Sequence, residues 1–80
     1  MSKDFVLYGT SACHLCEVAE GMLHEALAQV SDIQMRKEDI SESDELFERY
    51  GLMIPVLADS GGRELRWPFD RAELAKFLSA

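Results

Sequence analysis

The chain holds two cysteines, Cys13 and Cys16, three positions apart in the run Cys13-His14-Leu15-Cys16. A bridge between them closes so small a loop that it adds little entropic stability, so stability is a poor reason for the pair. Half a zinc site has the same spacing but needs two more ligands. His14 lies inside the motif, and His24 stands eight residues past Cys16, more than two helical turns away. His24 is better matched to Glu20 as a surface i,i+4 contact. The remaining chemistry is thiol–disulfide exchange, which needs one thiolate to attack and a second thiol in reach to resolve the mixed disulfide.

That chemistry depends on where the pair sits. A short apolar run, Phe5-Val6-Leu7-Tyr8, ends at Gly9 and fits a strand buried on both faces. From Leu15 the apolar positions Val18, Ala19, Met22, Leu23, Ala26, Leu27 and Val30 follow helical spacing, broken at Ser31-Asp32. Cys13 therefore falls at a helix start, where unpaired amides and the positive end of the dipole favour a thiolate. Free cysteine has a pKa of about 8.5, and such surroundings lower it by one to several units. His14 adds a positive charge when protonated. Glu17 and the acidic balance oppose it, so an intermediate value is expected. Cys16, one turn deeper, is the resolving thiol.

The rest of the chain supplies the frame. Ile33 and Met35 alternate with Gln34 and Arg36 as in a half-buried strand. Ser41 to Tyr50 reads as a helix with a capping box from Ser41 and Asp44, an apolar face of Leu46, Phe47 and Tyr50, and Gly51 as its C′ residue. Ile54-Pro55-Val56-Leu57-Ala58 is a second continuous apolar run. The turn Asp59-Ser60-Gly61-Gly62 leads into an alternating strand, Arg63 to Trp67. Asp70 is the N-cap of the last helix, with Glu73 at N3, Phe69 stapled onto Leu74, and Leu74, Phe77 and Leu78 as the buried stripe. Trp67 and Phe69 read as packing residues, and Met22 and Met35 as core filler.

The order is β-α-β-α-β-β-α. The apolar strands belong in the middle of the sheet, and the two charged ones at its edges, where Arg36, Glu64 and Arg66 discourage edge-to-edge pairing. A right-handed crossover makes strands one and two parallel neighbours, and the Gly-Gly turn makes strands three and four a hairpin. The expected fold class is α/β, with a mixed four-stranded sheet in order 4-3-1-2 over a single domain, residues 1–80.

Fifteen acids against eight bases leave a formal charge of −7 over 80 residues. Nucleic acid or an anionic membrane needs a cationic footprint that this balance does not offer. No apolar run approaches the roughly 18 residues of a spanning helix, and no signal-peptide core precedes the first strand. The expectation is a cytoplasmic protein, with no nucleic acid or membrane partner. Two cysteines are too few for the disulfide framework of a secreted mini-protein.

Pro55 completes the pattern. Sequence statistics favour a trans bond, since about 5–6% of X-Pro bonds in folded proteins are cis. With the first strand, Cys13-x-x-Cys16 at the head of a helix, and Ile54-Pro55 before the third strand, the chain resembles the glutaredoxin branch of the thioredoxin superfamily over nearly its whole length. The resemblance implies a thioredoxin/glutaredoxin-like fold, a cis Pro55 against the cysteines, Cys13 as nucleophile and Cys16 as resolver. It also implies that the backbone of Ile54 pairs with the thiol substrate. Four departures stand out, the first being Gly9-Thr10-Ser11-Ala12 where many of the family carry a basic residue shortly before the motif. His14-Leu15 replaces the usual Pro-Tyr, and Leu52-Met53 replaces polar residues before the proline. Trp67-Pro68-Phe69-Asp70 replaces the Gly-Gly-Asp stretch that grips glutathione. Asp70, the first amides of the last helix and Arg71 are left to meet a charged ligand.

The expected function is therefore a small dithiol–disulfide oxidoreductase acting on protein or glutathione mixed disulfides in redox homeostasis. Its expected site is Cys13, Cys16 and His14 for chemistry, and Ile54, Pro55, Asp70 and Arg71 for substrate. It would be a monomer with no metal and no tightly bound cofactor, using glutathione as co-substrate. Two other classes stay open: a dimer that binds an iron–sulfur cluster or zinc, and a non-catalytic adaptor that docks a partner through Trp67-Pro68-Phe69.

Overall fold

Alternation along the first strand decides the two layers of the protein. The computed structural model describes residues 3–28, 30 and 32–79. Strand β1 (Lys3–Gly9) sends Phe5 and Leu7 to one face of the sheet, where they join one buried cluster, and Tyr8 to the other, where it packs on a second. Helices α1 (His14–Leu27) and α3 (Arg71–Ser79) cover the first face with Ala19, Leu23, Leu74, Phe77 and Leu78. Helix α2 (Asp44–Tyr50) covers the second, where Tyr50 packs with Ile40 and Val56, and Leu46 leans on them.

The sheet has four strands in the order β2-β1-β3-β4, with β2 at Ile33–Asp39, β3 at Val56–Asp59 and β4 at Glu64–Arg66. This is the arrangement expected from strand composition. β1 runs parallel to β2 and antiparallel to β3, and β3 and β4 form the antiparallel hairpin. The apolar strands occupy the centre because both of their faces are covered by helices.

Several boundaries differ from the sequence reading. α1 ends at Leu27 with Ala28 as its cap, so Val30 lies beyond it, its N–H donating to the Leu27 carbonyl at 3.1 Å. Ser31, half of the expected break, lies outside the described residues. β3 begins at Val56 rather than Ile54, in keeping with the absence of a ladder donor on Pro55.

The second helix differs most. Its N-cap is Ser43, whose Oγ accepts from the Leu46 N–H at 3.3 Å, and not Ser41. Ser41 sits inside a single 3-10 turn, Ile40–Glu42, and donates both its N–H (2.9 Å) and its hydroxyl (2.6 Å) to Asp39 Oδ1. Ile40 is fully buried and anchors that turn in the core, so the helix starts after it. In this register Leu46 and Tyr50, four apart, face the sheet, while Phe47 points outward and is 57% exposed. Gly51 caps the helix in the right-handed conformation, not the left-handed one expected of a C′ glycine. The hairpin does use that region, at Gly62 with φ of 94°.

Candidate active site

Cys13 is the N-cap of α1, in extended conformation, and Cys16 lies in the first helical turn. The two are joined as a disulfide with Cα atoms 5.2 Å apart. Cys13 Sγ also accepts a hydrogen bond from the Cys16 N–H at 3.1 Å, taking the place that a serine or aspartate oxygen holds in other caps. A thiolate at this position is favoured twice, by that donor and by the dipole of the 14-residue helix behind it. The two sulfurs differ in access. Cys13 is half-buried, and Cys16 is 7% exposed beneath it. Cys13 is the sulfur open to solvent, and Cys16 is reached through it.

Gly9, at the end of β1, is the residue that sequence reading missed. A Cβ placed on it would lie 2.8 Å from Cys16 Sγ, closer than real Cβ atoms come, and a tight 3.1 Å from Cys16 Cβ. Gly9 pairs with Asp39 on β2. On its other side Tyr8 pairs with Val56, so one step further along the same register sets Gly9 level with Pro55. The register thus brings Pro55 to the end of the sheet where the cysteines lie. The Ile54–Pro55 and Trp67–Pro68 peptide bonds are both cis, and the Pro55 carbonyl accepts from the Trp67 N–H at 3.2 Å. Ile54 and Met53 pack on the Tyr50 cluster, whereas Leu52 is fully exposed.

A pocket of about 320 Å³ opens beside Cys16, between α1 and the end of β2. Glu17, Glu20, Glu38 and Asp39 line it, with Lys37 as its cation, and Lys37 Nζ lies 3.2 Å from Glu20 Oε1. The hydroxyl and N–H of Ser41 hold the Asp39 carboxyl below its ordinary pKa, so it stays charged to lower pH. The pocket beside the inner sulfur is therefore lined mainly by acids.

His14 is the first residue of α1. Its side chain is 85% exposed, with Nδ1 3.8 Å from Glu17 Oε2. Asp70 caps α3, accepting from the Glu73 N–H at 2.7 Å. Arg71 pairs with Glu25 at 3.0 Å, nine residues beyond Cys16 and roughly 13 Å along α1. The structure thus sets Cys16 against Gly9 and Pro55 level with it, and it holds the Arg71 side chain at Glu25, away from the cysteines along α1. His24 lies 3.9 Å from Glu20, the i,i+4 contact expected of it. Trp67 and Phe69 pack edge to face at 5.0 Å against the main core. Among the described residues, no group of three or more His, Cys, Asp or Glu is placed to hold a metal ion, and no helix is long and apolar enough to cross a membrane.

Solved structures bear on the fold. The X-ray structure of the structural genomics target XcR50 from X. campestris is 39% identical, covers 94% of this chain and 95% of its own, and superposes with a TM-score of 0.82. Protein Ne2328 from Nitrosomonas europaea is 25% identical, with 98% and 93% covered and a TM-score of 0.80. A mutant thioredoxin from Halobacterium salinarum NRC-1, 23% identical with 98% and 73% covered, shares the fold at a TM-score of 0.72. No match is found among curated proteins. The model of the glutaredoxin-like domain (DUF836) matches residues 4–79, a span that holds the cysteine pair, the Pro55 loop and all seven strands and helices of the fold but one residue of β1. With its thioredoxin fold and its Cys13–Cys16 redox pair, the chain belongs to the glutaredoxin-like domain family.

Proposed function

We propose that the protein is a thiol–disulfide oxidoreductase that reduces protein or glutathione mixed disulfides. One observation carries the reading: two bonded cysteines at a helix start, the outer one accepting a backbone N–H and the inner one buried. In the reductive direction the Cys13 thiolate attacks a substrate disulfide, and one substrate thiol leaves. Cys16 then attacks Cys13 Sγ, releasing the second substrate thiol and closing the Cys13–Cys16 bond. Ile54 and Pro55 are the ledge against which the substrate rests, and the level of Pro55 with Gly9 supports that role. His14 contributes charge beside the motif when protonated.

Glutathione serves as co-substrate, reducing equivalents come from glutathione or from a reductase, and no cofactor is tightly bound. The capping of α3 by Asp70 and the pairing of Arg71 with Glu25 lend no support to a dedicated glutathione grip. A protein disulfide is accordingly the substrate class that the site favours. The protein works as a monomer in the cytoplasm, where a dithiol is kept cycling.

The test is equilibration of the whole chain in graded glutathione redox buffers, with thiol trapping of Cys13 and Cys16. A reversible two-electron midpoint within the reach of cytosolic couples is expected. A pair that fails to cycle, or a purified protein that carries iron or zinc in stoichiometric amount, overturns the reading.

A further inference from the structure

We propose that Gly9 is a positioning residue that sets the balance between the disulfide and dithiol forms through its contact with Cys16, an inference that rests on the oxidoreductase reading above. Gly9 ends β1 at the point where β2, the Pro55 loop and the start of α1 converge. The inner sulfur lies directly over it. A methyl group there would come within 2.8 Å of Cys16 Sγ and 3.1 Å of Cys16 Cβ. Those two contacts have different consequences. The Cβ contact is present whether or not the sulfurs are bonded, so it cancels between the two forms. The Sγ contact does not cancel, because the disulfide fixes that atom beside Cys13, whereas the free thiol can turn about χ1 to another staggered position. Crowding at Gly9 therefore disfavours the bonded state selectively.

The absence of a side chain thus favours closing the ring. In glutathione buffer, the Cys13 thiolate attacks one sulfur of glutathione disulfide and releases a glutathione thiolate. Cys16, having lost its proton, attacks Cys13 Sγ, and the second glutathione thiolate leaves. Two electrons pass from the cysteine pair to the glutathione disulfide, and the two cysteine protons end on the two glutathione thiols. A methyl on residue 9 opposes only the second step.

Gly9→Ala is the variant to make, with Gly21→Ala as the control, since a Cβ at Gly21 meets nothing within 4 Å. The equilibrium constant for closing the Cys13–Cys16 bond in glutathione buffers should fall about fivefold or more in Gly9→Ala, which is about 20 mV on a two-electron couple. Gly21→Ala should leave it unchanged. In a Cys16→Ala background, Gly9→Ala should not alter the equilibrium between Cys13 and its glutathione mixed disulfide. An unchanged midpoint in Gly9→Ala, or a shift that persists without the Cys16 sulfur, overturns the proposal. If Gly9→Ala does not fold, removing the sulfur in Gly9→Ala/Cys16→Ala should restore folding, and failure of that rescue overturns it as well. A wild-type pair that cannot be titrated at all sinks the oxidoreductase reading, and this inference falls with it.

Discussion

Cys13 Sγ accepts the Cys16 N–H at 3.1 Å, so the proposed nucleophile is also the cap of its own helix. Capping and reactivity can be separated, because serine keeps the cap and loses the thiolate. Cys13→Ser should fold with nearly unchanged thermal stability and lose all disulfide reductase activity. Cys16→Ser should retain the first attack and accumulate a mixed disulfide at Cys13, visible as added mass when glutathione disulfide is supplied.

The cap of α2 is Ser43 and not Ser41. Ser43→Ala should lower the unfolding free energy by about 1 kcal/mol, measured by urea denaturation. Ser41→Ala removes no helix cap and should cost less.

Tyr50 gives the protein an alkaline limit. Burial, then the hydrogen bond to Glu64 Oε2 and that group's charge, push its hydroxyl from an ordinary 10.0 up to about 12. The unfolded chain therefore releases this proton first as pH rises. The stabilisation is complete below about pH 10 and is lost as pH climbs towards about 12. Absorbance titration should show Tyr50 ionising at the high end of this window. Tyr50→Phe should flatten the stability loss between the two values.

Leu57 and Leu52 test the core assignment against its opposite. Leu57 is fully buried between sheet and helices, and Leu57→Ala should cost about 2–5 kcal/mol in denaturant titration. Leu52 is fully exposed beside the Pro55 loop. Leu52→Ala should change stability by no more than about 0.5 kcal/mol, and any effect should appear in the KM for a protein disulfide.

Asp70 and Arg71 separate capping from ligand contact. Asp70→Ala should cost about 1 kcal/mol through the lost Glu73 N–H bond. Arg71→Ala breaks only an exposed pair with Glu25, so stability should change by less than about 1 kcal/mol. The protein-disulfide reading expects the KM for glutathione to stay unchanged in both.

The sequence alone determined the parts that depend on neighbours a few residues apart. Continuous apolar runs marked the central strands, the 3.6-residue spacing marked α1, and Asp70 announced the start of α3. The Cys-x-x-Cys spacing placed two sulfurs within one turn. Tertiary structure decided the rest, because those choices are made by contacts between segments far apart in the chain. Burial of Ile40 chose Ser43 over Ser41 as the cap and turned Phe47 outward. Glu64, expected as a solvated edge charge, instead accepts the hydroxyl of Tyr50 from across the second core. Gly9 read only as the end of a strand, since a close approach to Cys16 cannot be inferred until strand and helix are packed together.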